Sequence, residues 1–160
     1  MATITLGSSF PSGFGGTPSG DDVTARDGST ITLLNLAGGS DIAKLGNNID
    51  IQSNIDLGAN QPSSSETLIL GDNVTLSAGI VADTWGTGTQ AGSAEITIGQ
   101  GADIGGDIDL WTSRNSTIEL GGAEDPSQID GNVRVGSGSD FVSFENVAID
   151  GNVDLYTGNN

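Results

Sequence analysis

The sequence predicts an all-β chain wound into a parallel β-solenoid, with three short strands to each coil. Three observations carry that expectation. A fifteen-residue pattern recurs along the chain, its apolar residues fall into apolar–any–apolar triplets, and the triplets are joined by short corners rich in Gly, Asn and Asp. Residues 43–57 (AKLGNNIDIQSNIDL), 68–82 (LILGDNVTLSAGIVA) and 96–110 (ITIGQGADIGGDIDL) align without a gap. Counting the first residue as slot 0, slots 0, 2, 6, 8, 12 and 14 are apolar in all three. A helix would need apolar residues at a spacing of about 3.6, which this pattern does not supply.

Each triplet reads as a strand with two side chains turned in and one turned out. The corners are built from residues that tolerate tight turns. Two further copies carry small length changes. One starts at Ile118, gains three residues after Gly122, and resumes at Ser127, Ile129, Val133 and Val135. The other starts at Val142, loses one residue, and resumes at Val147, Ile149, Val153 and Leu155. Copies beginning at 43, 68, 96, 118 and 142 give about five coils of 22–28 residues. The variation sits mainly in the stretch closing each coil, as expected when parallel strands stack about 4.8 Å apart and loops swell at one corner. Coils of this length favour a right-handed winding. Ile31 and Leu33 fit slots 12 and 14 of an incomplete coil ahead of these. The slot 11 column (Asn54, Gly79, Asp107, Asn132, Asn152) is expected to serve the corners, as left-handed residues and as amide ladders.

Composition narrows the chemistry. Four basic residues (Arg26, Lys44, Arg114, Arg134) face 21 carboxylates, giving a net charge of −17. Such a chain repels nucleic-acid backbones and anionic membranes, whose affinity comes mostly from Lys and Arg. No apolar run approaches the roughly 20 residues of a membrane span. Without His or Cys there is no Ser-His-Asp or Cys-His pair, no thiolate or imidazole zinc site and no disulfide. Hard, oxygen-liganded cations remain, with calcium the cation that acidic corners suit, yet no twelve-residue ligand loop names a site. The lack of Cys and the abundance of Gly, Asn, Ser and Asp point to an extracellular or cell-surface setting. Residues 1–7 have neither the basic nor the apolar region of a secretory signal peptide.

On these repeats, residues 29–157 resemble the β-solenoid passenger regions of bacterial adhesins and autotransporters, and more distantly the pectate-lyase-like β-helices. The resemblance is architectural. It implies a stiff extracellular stalk rather than a particular ligand, and it does not extend to the calcium-binding nonapeptide roll.

Candidate sites follow from the pattern. Trp85, Trp111 and Tyr156 each follow a third strand on the loop edge, where alternation turns them outward. They are either a platform for sugar rings or a protein partner, or packing beneath the closing loops. Asp103, Asp107 and Asp109 align beside Asp50 and Asp56, and Asp130, Asp150 and Asp154 follow. Two such carboxyls on neighbouring coils would suit a polysaccharide hydrolase, whereas a lyase would need a base and finds only Arg114 and Arg134 nearby. The plainer reading is solvated surface, and no catalytic residue is assigned. In slot 13, Arg134 is expected to lie between Asp109 and Asp154. Position 8 (Ile51, Leu76, Ile104, Ile129, Ile149) is expected to form a buried inward stack.

The chain divides into a Gly/Ser/Pro-rich arm or cap, residues 1–28, and a solenoid, residues 29–160. Phe10 and Phe14 on the arm are expected to cover the first coil or to bridge a joint. No polar capping helix follows Val153 and Leu155. The last coil then offers a template for strand addition, unless the chain is the start of a longer protein. The expected function is an extracellular structural or adhesive module that self-associates end to end. The alternatives are a carbohydrate-active β-helix enzyme or a calcium-dependent polysaccharide-binding module, with a polysaccharide or cell-surface protein as partner.

Overall fold

The computed structural model describes residues 2–6, 14–17, 19–36, 38–58, 64–82, 92–111 and 113–156, the first stretch as backbone alone. The described chain is all strand and turn. In chain order the strands are β1 (Ala2–Leu6), β2 (Phe14–Gly15), β3 (Asp21–Ala25), β4 (Thr30–Ile31), β5 (Leu34–Asn35), β6 (Ile42–Leu45) and β7 (Asp50–Ile51). Next come β8 (Ile55–Asp56), β9 (Ser65–Leu70), β10 (Thr75–Leu76), β11 (Ile80–Val81), β12 (Ser93–Ile98), β13 (Asp103–Ile104) and β14 (Ile108–Leu110). The last are β15 (Ser116–Gly121), β16 (Ser127–Ile129), β17 (Val133–Val135), β18 (Phe141–Glu145), β19 (Val147–Ile149) and β20 (Val153–Leu155).

From β2 onward each strand pairs with the third strand after it, and β1 pairs with β3, always in parallel, so the chain winds around three sheets. The first sheet runs β1-β3-β6-β9-β12-β15-β18, the second β4-β7-β10-β13-β16-β19, and the third β2-β5-β8-β11-β14-β17-β20. The pairing register follows the apolar slots. Ala43 lies beside Leu68, Leu68 beside Ile96, Ile96 beside Ile118 and Ile118 beside Val142. All eighteen apolar slots of the three ungapped copies are buried, and so is Ser127, the polar resident of the fourth. The strands of the first sheet reach up to six residues, longer than the triplets alone require.

The register of the early chain differs from expectation. Ile31 pairs with Ile51 in slot 8, and Leu34 with Ile55 in slot 12, while Leu33 is exposed. Skipping one corner residue turns Leu34 and Leu36 inward and Leu33 out, since side chains alternate along a strand. The coil of β3, β4 and β5 is therefore three-stranded. Within residues 1–28, β1 pairs with β3, β2 with β5, and β3 with β6, so these strands continue the stack.

The corners are held by side-chain ladders. At the first corner Asp27 Oδ1 accepts the Asn47 N–H, Asn47 Oδ1 accepts that of Asp72, Asp72 Oδ1 that of Gln100, and Gln100 Oε1 that of Glu124. At this corner Gly28, Asn48, Asn73 and Gly101, each one step beyond a ladder residue, have left-handed backbone, as does Asn146 at the same corner of the last coil. Slot 11 thus does not supply the left-handed turn expected of it. It does form ladders: the Gly79 N–H donates to Asn54 Oδ1 at 2.8 Å, Asn132 to Asp107 at 2.7 Å, and Asn152 to Asn132 at 3.0 Å. Both corners span three residues in the ungapped copies, but positive φ falls at the first, on Gly and Asn, the residues that accept it most readily.

Candidate functional site

Two features stand out on the surface, and both lie toward the C-terminal end. In slot 12 of the third sheet, Leu34, Ile55, Ile80, Ile108 and Val133 are wholly buried, yet Val153 is 45% exposed. In slot 14, Leu36, Leu57 and Val135 are buried, yet Leu155 is 48% exposed. The sequence is equally apolar throughout these columns, so position in the stack alone makes the difference. Among the described residues, β18, β19 and β20 are each paired on one side only. Val142, Phe144, Val147 and Ile149 are partly buried against the core, and Phe141 lies 54% exposed beside them. The last coil thus presents an apolar cross-section rimmed by unpaired backbone groups, which is the chemistry of strand addition.

At the opposite end β1 and β2 are the edge strands of their sheets. Phe14 is buried in the core, in β2 beside Leu34 of the third sheet. Phe10 lies outside the described residues.

The second feature is the aromatic edge. Trp111 and Tyr156 are 49% and 44% exposed and meet edge to face, their ring centroids 3.9 Å apart. They follow β14 and β20, two coils apart, and the coil between them carries Gly136 at the matching position. A side chain on Gly136 would collide with the Trp111 carbonyl oxygen. The glycine lets this coil lie close against the backbone of Trp111 and Ser113. Trp85 lies outside the described residues.

Next to this pair runs the slot 13 column. The Arg134 guanidinium contacts Asp107 and Asp109, each at 3.3 Å, and Asp154 at 3.8 Å. Asp107 and Asp109 also line a shallow groove with Asn54, Gly79 and Gly106. Their carboxylates are engaged by Arg134, and Asp107 also accepts from Asn132. Among the described residues, no three carboxylates gather in an arrangement that would hold a metal ion.

One set of groups escaped the sequence reading. Asp21, Asp41 and Glu66 have no exposed surface. They stand two residues ahead of slot 0 in successive coils, on the inward face of the first sheet. The signal lay in the alternation: extending the apolar triplet back by one more inward position lands on an acid in three consecutive coils.

No family model, characterised protein or solved structure matches this chain. The fold itself defines the class: a parallel β-solenoid, all-β, with three strands per coil.

Proposed function

We propose that the chain is a structural module of the extracellular or adhesive kind, which builds rods by stacking head to tail. The observation that carries this reading is the apolar last coil, with Val153 and Leu155 exposed where the same columns are buried in the coils before it. A second copy would continue the parallel stack. Ile4 pairs with Val23 in the same register in which Val142 pairs with Ile118. Carrying the register across the joint sets Val142 beside Ile4, Phe144 beside Leu6 and Val153 beside Phe14.

Contact between unlike ends is heterologous and gives open filaments unless the rotation closes a ring. A net charge of −17 opposes lateral clumping. Salt or divalent cations such as calcium favour the joint by screening that charge. The likeness in architecture to adhesin and autotransporter passengers supports a load-bearing, surface-displayed rod.

Negative-stain microscopy and light scattering of the 160-residue chain test the reading. Filaments are expected that lengthen with ionic strength and are lost in the Val153→Asp/Leu155→Asp variant. A strictly monomeric chain at high protein concentration and millimolar calcium overturns it.

The exposed Trp111–Tyr156 pair favours a second reading, a polysaccharide-binding edge, because aromatic faces beside carboxylates and a guanidinium suit sugar rings. Affinity electrophoresis in neutral and uronic-acid polysaccharides, comparing wild type with Trp111→Ala, separates binding from its absence. A turnover assay on the same polymers, with and without calcium, separates binding from hydrolysis or lyase activity.

A further inference from the structure

The buried acids of the first sheet form a column. Asp21 stands at the start of β3, Asp41 just ahead of β6 and Glu66 in β9, and pairing of these strands brings the three side by side. The Asp21 carboxylate is satisfied by Thr17, whose N–H donates at 2.7 Å and whose hydroxyl donates at 2.9 Å. The other two carboxyls are half satisfied. Asp41 Oδ1 accepts the Asp21 N–H at 2.5 Å, and Glu66 Oε2 accepts the Asp41 N–H at 2.9 Å. Asp41 Oδ2 and Glu66 Oε1 are buried with no partner.

The charge around them is of one sign. Glu66 faces Asp41 and the Ser64 hydroxyl, and Asp41 faces Asp21 and Glu66. On the far side of Glu66 the column continues with Ala94 of β12 and Ser116 of β15, both uncharged. Lys44 and Arg26, the cations nearest in sequence, are exposed. The pairing of β6 with β9 sets Asp41 beside Glu66, and each keeps one buried oxygen that no donor reaches. Two ionised carboxylates are acceptors only, so the pair can be satisfied only if one of them carries a proton.

We propose that Asp41 and Glu66 hold one proton between them in the folded protein at neutral pH, and that losing it in alkaline solution opens the coils of β3, β6 and β9 before those of β12, β15 and β18. The proton sits on Glu66 and is donated to Asp41. Transfer to hydroxide leaves two buried carboxylates side by side, with no cation to offset them. The later coils escape because Ala94 and Ser116 fill their share of the column. Asp140, which accepts the Ser116 N–H at 2.8 Å, has no second acid beside it in that column.

The direction of the pH effect follows. Burial, reinforced by the charge of Asp41, pushes the Glu66 carboxyl up from 4.5 to about 8, and burial likewise raises Asp41. The folded state then binds more protons than the unfolded one between these values. The contribution to stability is complete below about pH 4.5 and is lost as pH rises through about 8.

The test is a carboxyl-carbon NMR titration of the native chain, joined to hydrogen exchange corrected for intrinsic rates at pH 7 and pH 9.5. We expect the Glu66 carboxyl to titrate near pH 8. Protection in residues 21–25, 42–45 and 65–70 should fall at least tenfold on raising the pH, with residues 93–98 and 116–121 unchanged. Glu66→Gln, whose amide donates to Asp41 without ionising, should remove this alkaline loss. A Glu66 midpoint below pH 6 overturns the proposal even if Glu66→Gln fails to fold. A loss of protection spread evenly over all coils overturns it as well.

Discussion

The Arg134 guanidinium lies 3.3 Å from the Asp109 carboxylate on the preceding coil, in the strand register that sets these two residues side by side. Asp154 on the following coil completes the sandwich at 3.8 Å, and Asp107 joins from the corner. Each pair is about one-third exposed, so none contributes more than about 0–1 kcal/mol. Together they also relieve repulsion among three carboxylates. Arg134→Gln is expected to destabilise the chain by about 1 kcal/mol at low salt, with the deficit shrinking at high salt. Urea unfolding at two ionic strengths measures both. A deficit independent of salt would assign the arginine to packing instead.

The slot 8 column separates interior from end. Ile51, Leu76, Ile104 and Ile129 are buried, whereas Ile149, in the last coil, is only partly so. Expectation and structure differ there because nothing described stacks on β19. Ile104→Ala should cost about 2–5 kcal/mol as a core truncation, and Ile149→Ala distinctly less in the unassembled chain. Equal losses in denaturant unfolding would mean that the last coil is covered in solution.

Asn48 and Asn73 hold φ of 55°, and their N–H groups reach the carbonyls of Asp72 and Gln100 on the next coil. Asn73→Val should cost about 1–2 kcal/mol, the penalty of a left-handed backbone for a residue with a bulky Cβ. Asn73→Gly should be near neutral. At Asn54 the order reverses, because its part is the hydrogen bond to Gly79 and not the backbone angle. Thermal melts of the four single variants with Gly and Val at each position show whether the two columns differ.

Gly136→Ala places a methyl group against the Trp111 carbonyl. The expected result is a displaced last coil and loss of the edge-to-face contact with Tyr156. Near-ultraviolet circular dichroism in a Trp85→Phe background would register it as a weakened aromatic band. An unchanged band would place the ring contact outside the control of Gly136.

The apolar slots were legible from sequence because a strand has a period of two, and a one-residue slip would have turned the whole face outward. That is why the registers of Ile118, Val133 and Val153 held across insertions and a deletion. The early coil was misread because a single skipped corner residue makes Leu33 and Leu34 interchangeable in pattern but opposite in direction. Slot 11 was misassigned because Asn serves both as a hydrogen-bond ladder and as a left-handed residue, and composition alone does not distinguish the two. The acid column stayed hidden for a different reason. Buried carboxyls violate the polarity rule on which an apolar-slot search depends, and their burial emerges only once the strands of the first sheet are seen to extend beyond the triplet.

The corner ladders have a direction. Asp27, Asn47, Asp72 and Gln100 each accept an N–H from a later coil, as do Asn54, Asp107 and Asn132 at the second corner. During synthesis the earlier coil leaves the ribosome first and already presents the oxygens that the following coil needs. Winding can therefore keep pace with translation. The acids run the other way: the N–H groups of Asp21 and Asp41 wait for carboxyls that arrive later. The coils of β3 and β6 are sealed only when Glu66 emerges, which makes it their latch.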